Sequence, residues 1–292
     1  MTTTSSMQNS QLDHRLEQMR TSGYCILQNV IPPDRCATIR ESILETVRQE
    51  RHNYANAPAK VGFTPSLINH NQSFVEYLAD VELLELIGRL LGEHLRISFT
   101  SAIINEPGNA RGGWHADWPF NQKNAGHIPV PYPDVVMHIT TLWMLSPFEA
   151  ENGGTLILPG SHRRGTNPTA IAAARSGDDL SDLPGPHEEV PGETSATGSA
   201  GSVLIMDSRL WHATAPNSAD EPRVALAVRY APWWLNLEVL RPESAERKHM
   251  CNESGKTENV VPSIAPNVYD RLPANIQPLF RHWVGPREPN VE

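Results

Sequence analysis

The chain has 292 residues, 39% hydrophobic and 20% charged, enough apolar material to bury a substantial core without disulfide or metal staples. Lys plus Arg number 24 against 33 Asp plus Glu; the formal charge of −9 disfavours nucleic-acid phosphates and anionic lipid but allows an anionic ligand in a local basic pocket. Three cysteines (Cys25, Cys36 and Cys251) match neither a disulfide framework nor a zinc spacing. With no basic-plus-apolar leader and no apolar run of about 20 residues, the expectation is a cytoplasmic protein without a membrane span.

In chain order, residues 1–11 are polar and expected to fray, and 12–292 are expected to form one domain with its core at about 22–231. Leu12, Leu16 and Met19 recur at helical spacing until Gly23 interrupts them, and Tyr24 to Leu27 then read as a strand. Pro32-Pro33-Asp34 opens a helix that carries Ile39, Ile43, Leu44 and Val47 on one face. A second amphipathic helix is predicted over 74–91, ending at Gly92. From Leu95 the pattern changes to short β-prone runs at 95–104, 135–145, 154–158, 202–206 and 223–231, each bounded by turn residues. Together with 25 prolines, this predicts a mainly β fold, sandwich or barrel, with flanking α-helices. Residues 160–200 form a Ser/Gly/Pro-rich insertion, with one or two helical turns at Ala170–Arg175; with 118–134 it is a candidate closing segment. A C-terminal extension at 232–292 is irregular over 250–268 and predicted helical over Leu272–Val284.

The chemistry concentrates in two stretches. In an extended Trp114-His115-Ala116-Asp117, side-chain alternation turns His115 and Asp117 to one side. Alone, such a triplet is common by chance. A buried-type strand, Val203 to Asp207, then leads to Trp211-His212, and Arg223 opens the next strand eleven residues after His212. Two histidines and one aspartate are the facial set of non-heme Fe(II) oxygenases and leave three positions open. A 2-oxo acid chelating iron would need its distal carboxylate paired, and a buried arginine suits that bidentate role. Thr214 lies two residues past His212, where its hydroxyl would assist Arg223.

The order WHxD, NGGTLxLPGSH (Asn152 to His162), GSVLIMD and WHATAPNxxxxPRxALxxRY resembles the phytanoyl-CoA dioxygenase family of Fe(II)/2-oxoglutarate oxygenases, over roughly Ser22 to Ala231. The resemblance implies a double-stranded β-helix, a jelly-roll relative, with Fe(II) on His115, Asp117 and His212 and with 2-oxoglutarate and O2 as cosubstrates. It places Arg223 on the 2-oxoglutarate carboxylate, with Thr214 assisting. Thr140 matches a small hydroxyl facing the cosubstrate, and Thr100 stands where some relatives carry Gln. Related halogenases lack the metal carboxylate; Asp117 is present, so hydroxylation of a small organic substrate is favoured.

Other polar and aromatic residues have plainer readings. His162 and His187 are expected in a turn and a solvated loop, and His127 and His138 as structural groups with a role in substrate binding as the alternative. Trp118 and Phe120 either wall a substrate pocket or pack under the following loop; Trp143 either lines the barrel interior or, like Trp233 and Trp234, fits ordinary core. A cupin-type isomerase or hydrolase has no use for the Arg223 spacing. A ligand-binding member without turnover is disfavoured by the intact triad.

Overall fold

The computed structural model describes residues 2–51, 60–118, 131–168, 183–254 and 261–287, with side chains from Ser10 to His249 and beyond Val261 within those ranges. Two antiparallel sheets face each other. The larger has the order β1 (Tyr24–Leu27), β7 (Val203–Asp207), β4 (Ile139–Met144), β9 (Arg223–Ala231), β3 (Arg96–Asn105), β2 (Val61–Pro65). The smaller has the order β6 (Thr194–Ala196), β5 (Thr155–Ile157), β8 (His212–Thr214), extended by an isolated bridge between His115 and His212. Neighbours in each sheet are rarely consecutive in the chain, as in a jelly roll, where strands cross between sheets. This is the expected double-stranded β-helix.

Helices cover the outer face of the larger sheet. The first, α1 (Thr2–Ser22), begins at Thr2, ahead of the expected start near Leu12. The second, α2 (Pro33–Glu50), starts at the proline that sets its first turn and buries Cys36, Ile39, Ile43 and Val47. The helix expected over 74–91 is broken: a 3-10 turn at Val75–Ala79 gives way at Asp80 to α3 (Val81–Leu91). Asp80 accepts a hydrogen bond from Leu83 N at 3.0 Å, so a new helix is capped where one continuous helix was predicted. The predicted C-terminal helix is also reduced, to α6 (Gln277–Phe280) and a 3-10 turn at Arg281–Trp283, because Pro273 and Pro278 each remove an amide donor. Within the nominally irregular 250–268 stretch lie the end of α4 (Ala245–Ser254) and the start of α5 (Pro266–Tyr269). The C-terminal segment shares the main core through Ile264, Ile276, Phe280 and Trp283.

A second apolar cluster lies on the far side of the smaller sheet, where Trp114, Ala116, Leu156, Trp211 and Ala213 pack with Leu183 and Val190. Trp114 Nε1 donates to Glu188 O at 2.8 Å and Trp114 N to Pro186 O at 2.8 Å. Residues 183–190 of the 160–200 insertion therefore pack against the back of this sheet. Ala170–Arg175 lies outside the described residues, as do His127 and Phe120, and the side chain of Cys251 lies outside the described side chains.

Candidate metal centre

Pairing explains how His115 and His212 meet. Their amides and carbonyls exchange hydrogen bonds, 3.0 Å from His115 N and 2.9 Å from His212 N, and directly opposed residues present side chains on one face. The rings lie 4.2 Å apart between centroids. Alternation then sends Trp114 and Ala116 into the outer cluster and His115 and Asp117 inward. Among the described residues, His115, Asp117 and His212 are the one group able to share a metal ion, with all three donor atoms within 4.8 Å of one another.

The tautomers follow from the backbone. Nδ1 of His115 meets Gly113 O at 3.0 Å and Nδ1 of His212 meets Leu210 O at 2.9 Å. A carbonyl only accepts, so each Nδ1 carries the proton and each Nε2 presents a lone pair. Burial, then the neighbouring His115, pushes His212 down to about 4, which keeps it a neutral ligand. Burial would raise the Asp117 carboxyl, but Arg229, the two histidines and Thr140 outweigh it and hold the acid well below the usual carboxylate range. Asp117 Oδ1 accepts from Arg229 Nη2 at 2.6 Å and Oδ2 from Thr140 Oγ1 at 2.8 Å.

The inner face of β9 carries Arg223, Ala225, Ala227 and Arg229 in alternation, so two small residues leave space between two cations. Arg223 is 3% exposed; its Nε donates to Gly153 O at 2.8 Å and its guanidinium lies 4.8 Å from the Phe148 ring centroid. Burial depresses it to about 10, and no carboxylate pairs with it among the described residues. Thr214 sits on the face of β8 that carries His212, half-buried.

Thr140 and Thr100 lie on opposite faces of the larger sheet, Thr140 inward beside Arg229. Thr140 spends its proton on Asp117 and so supports the metal carboxylate directly. Thr100 pairs with Val228, on the opposite face from Ala227 and Arg229, and accepts from Ile68 N at 3.2 Å under the helical layer. The inward neighbour is Ser101, opposite Ala227, whose fully buried hydroxyl has no partner among the described residues.

The sequence reading missed Arg229, although its even separation from Arg223 along one strand puts both on one face. It also missed Ser98 and Ser208. His162 bonds Arg20 O beneath α1, and His187 bonds Arg111 O in an exposed loop; neither joins the metal cluster. Trp118 packs edge-on against Tyr132 at 5.2 Å. Trp143 faces the outer core and donates to Thr141 at 2.9 Å, whereas Trp233 and Trp234 are 57% and 52% exposed, against the core expected for them.

The donor set fits a divalent transition metal with open positions, and the uncompensated Arg223 fits an anionic cosubstrate beside it. A family model described as phytanoyl-CoA dioxygenase (PhyH) matches residues 19–225. The chain belongs to the phytanoyl-CoA dioxygenase family. An ectoine dioxygenase from Nocardia farcinica is 26% identical over 234 residues, covering 71% of this chain and 74% of the relative. An uncharacterized protein of Mycobacterium tuberculosis is 25% identical over 232 residues, with 75% and 74% covered. Among solved structures, iron-bound EctD from S. alaskensis aligns with TM-score 0.56 at 20% identity, over 75% of this chain and 76% of that one. Membership and the His115–Asp117–His212 cluster make this member of the phytanoyl-CoA dioxygenase family a 2-oxoglutarate-dependent non-heme iron dioxygenase. Among the described residues no helix is long and apolar enough to cross a membrane.

Proposed function

We propose that the protein hydroxylates a C–H bond of a small organic substrate, with Fe(II) on His115, Asp117 and His212 and the distal carboxylate of 2-oxoglutarate on Arg223 and Thr214. The observation that carries the assignment is Arg223: a guanidinium 3% exposed, with no counter-ion among the described residues, on the inner face of the strand that also bears Arg229. A buried cation of this kind is stabilised by an anionic ligand that accepts from Nη1 and Nη2 together. Ser101, facing the same space, offers a further hydroxyl. Bound Fe(II) with 2-oxoglutarate supplies oxygen activation, giving succinate and CO2 with transfer of one oxygen atom to substrate.

The chain's own groups do the rest. His115 and His212 keep Nε2 unprotonated, Arg229 and Thr140 keep Asp117 ionised and oriented, and the buried Phe99 ring lies 4.5 Å from the Arg229 guanidinium on the apolar side. Buried free thiols at Cys25 and Cys36 suit a cytoplasmic setting. The test is succinate formation by purified protein given Fe(II), ascorbate and 2-oxoglutarate, against a panel of small substrates. Substrate-stimulated succinate with an alcohol product supports the reading. Binding of iron without binding of 2-oxoglutarate contradicts it.

A further inference from the structure

Behind Asp117 lies a run of buried polar groups of which the dioxygenase reading uses only the first, Thr140. Thr140 Oγ1 donates to Asp117 Oδ2 at 2.8 Å and lies 2.9 Å from Ser208 Oγ. Ser208 Oγ lies 2.8 Å from His138 Nδ1, and His138 Nε2 lies 2.8 Å from Ser98 Oγ. His138, Thr140, Ser98 and Ser208 are each about 1% exposed.

Proton counting fixes the direction of every link. An ionised carboxylate only accepts, so the single hydroxyl proton of Thr140 goes to Asp117. Thr140 must then accept from Ser208, which leaves Ser208 to accept from His138 Nδ1–H. A neutral imidazole protonated at Nδ1 accepts at Nε2, and Ser98 donates there in preference to its longer 3.3 Å contact with Arg229 O. Burial pushes His138 down to about 3, consistent with the neutral ring. All four donors point toward Asp117, so each polarises the next. Ser208 also ties the metal segment by its backbone: its carbonyl accepts from Trp118 N at 2.9 Å and its amide donates to His138 O at 3.0 Å.

We infer that His138 is a positioning residue for the metal ion, acting through the one-way hydrogen-bond chain Ser98 → His138 → Ser208 → Thr140 → Asp117 that orients the ligand carboxylate. The inference rests on Asp117 being a metal ligand. Supporting groups around metal ligands typically contribute about 10- to 100-fold in metal affinity, and this chain is the support on the Oδ2 side, as Arg229 is on the Oδ1 side.

The test uses the full-length protein and Co(II) as a spectroscopic stand-in for iron, with affinity from anaerobic titration and coordination from the visible ligand-field bands. His138→Leu and Ser208→Ala are each expected to weaken Co(II) binding by about 10-fold or more and to alter the bands. His138→Asn, whose amide reaches the place of Nδ1–H, is expected to recover most of the loss, whereas His138→Gln, which serves the Nε2 side, is not. Asp117→Ala is the control. If it leaves Co(II) affinity unchanged, the site assignment itself is wrong. If it abolishes binding while folded Ser208→Ala and His138→Leu bind like the parent, the positioning chain is overturned. Should His138→Leu fail to fold, Ser208→Ala decides the question alone.

Discussion

Replacing Arg223 with methionine separates what this residue does for the fold from what it does for the cosubstrate. In the ligand-free protein the buried guanidinium is a liability. Its downward shift from 12.5 to about 10 corresponds to about 3 kcal/mol of desolvation penalty at neutral pH. Methionine forfeits the Phe148 contact, about 0.5–1 kcal/mol, and the bond to Gly153 O, about 1 kcal/mol. Gly153 O keeps a donor, because Asn105 Nδ2 lies 2.9 Å from it. The free variant should therefore be more stable by about 1–2 kcal/mol, raising Tm by roughly 2–4 °C. Binding moves the other way. Loss of two charge-assisted hydrogen bonds at about 1.5–3 kcal/mol each should weaken 2-oxoglutarate by roughly 10²- to 10⁴-fold. Metal affinity should change less than about 10-fold, since Arg223 touches none of the three ligands. Thermal unfolding of the free protein and anaerobic calorimetry of 2-oxoglutarate into the metal-loaded protein measure both. A lower Tm, or equal losses of metal and 2-oxoglutarate binding, would refute the reasoning.

Three further outcomes follow from the same structure. Gly201, at φ +91°, has no room for a side chain because a Cβ there would collide with the Ile31 carbonyl oxygen; Gly201→Ala should cost about 2–4 kcal/mol and lower Tm by several degrees in a thermal melt. Burial holds His138 and His282 down to about 3 from 6.5, so the unfolded chain takes up protons first as pH falls. Their contribution is intact above pH 6.5 and lost progressively between 6.5 and about 3, and urea midpoints measured across that window should fall with pH without change in m. Burial raises the Cys25 thiol to about 12 and Cys36 to about 11, so peptide mapping after iodoacetamide treatment at pH 8 should find both unlabelled until the protein is unfolded.

Much of the site was legible in the sequence because strand alternation and residue chemistry are local properties. His115-x-Asp117, His212 and the spacing to Arg223 could be read before any fold was known, and the five β-prone runs became β3, β4, β5, β7 and β9. The strands β6 and β8 carry no alternating run of their own in the sequence and are defined by their pairing with β5 on either side. Thr100 entered through the resemblance alone; β3 is buried on both sides, so hydrophobicity does not mark which of its residues face inward. A bulge between Ile97 and Phe99 shifts its register further. The break at Asp80 was visible only as a capping residue inside an otherwise helical pattern. Arg229 was quoted within a motif, yet its contact with Asp117 depends on β3, β4 and β9 lying side by side. Trp233 and Trp234 lie beyond the last residue of β9, where the strand ends and the two rings meet solvent.

In the proposed function, one metal ion on His115, Asp117 and His212 and one 2-oxoglutarate on Arg223 are held together in one chain. Anaerobic calorimetry of 2-oxoglutarate into Fe(II)-loaded protein tests this most directly, with Asp117→Ala run alongside. The account predicts one 2-oxoglutarate per chain, bound tightly only when iron is present, and no iron-dependent binding in Asp117→Ala. Iron bound at full stoichiometry with no 2-oxoglutarate uptake, or identical uptake by the Asp117→Ala protein, would contradict it.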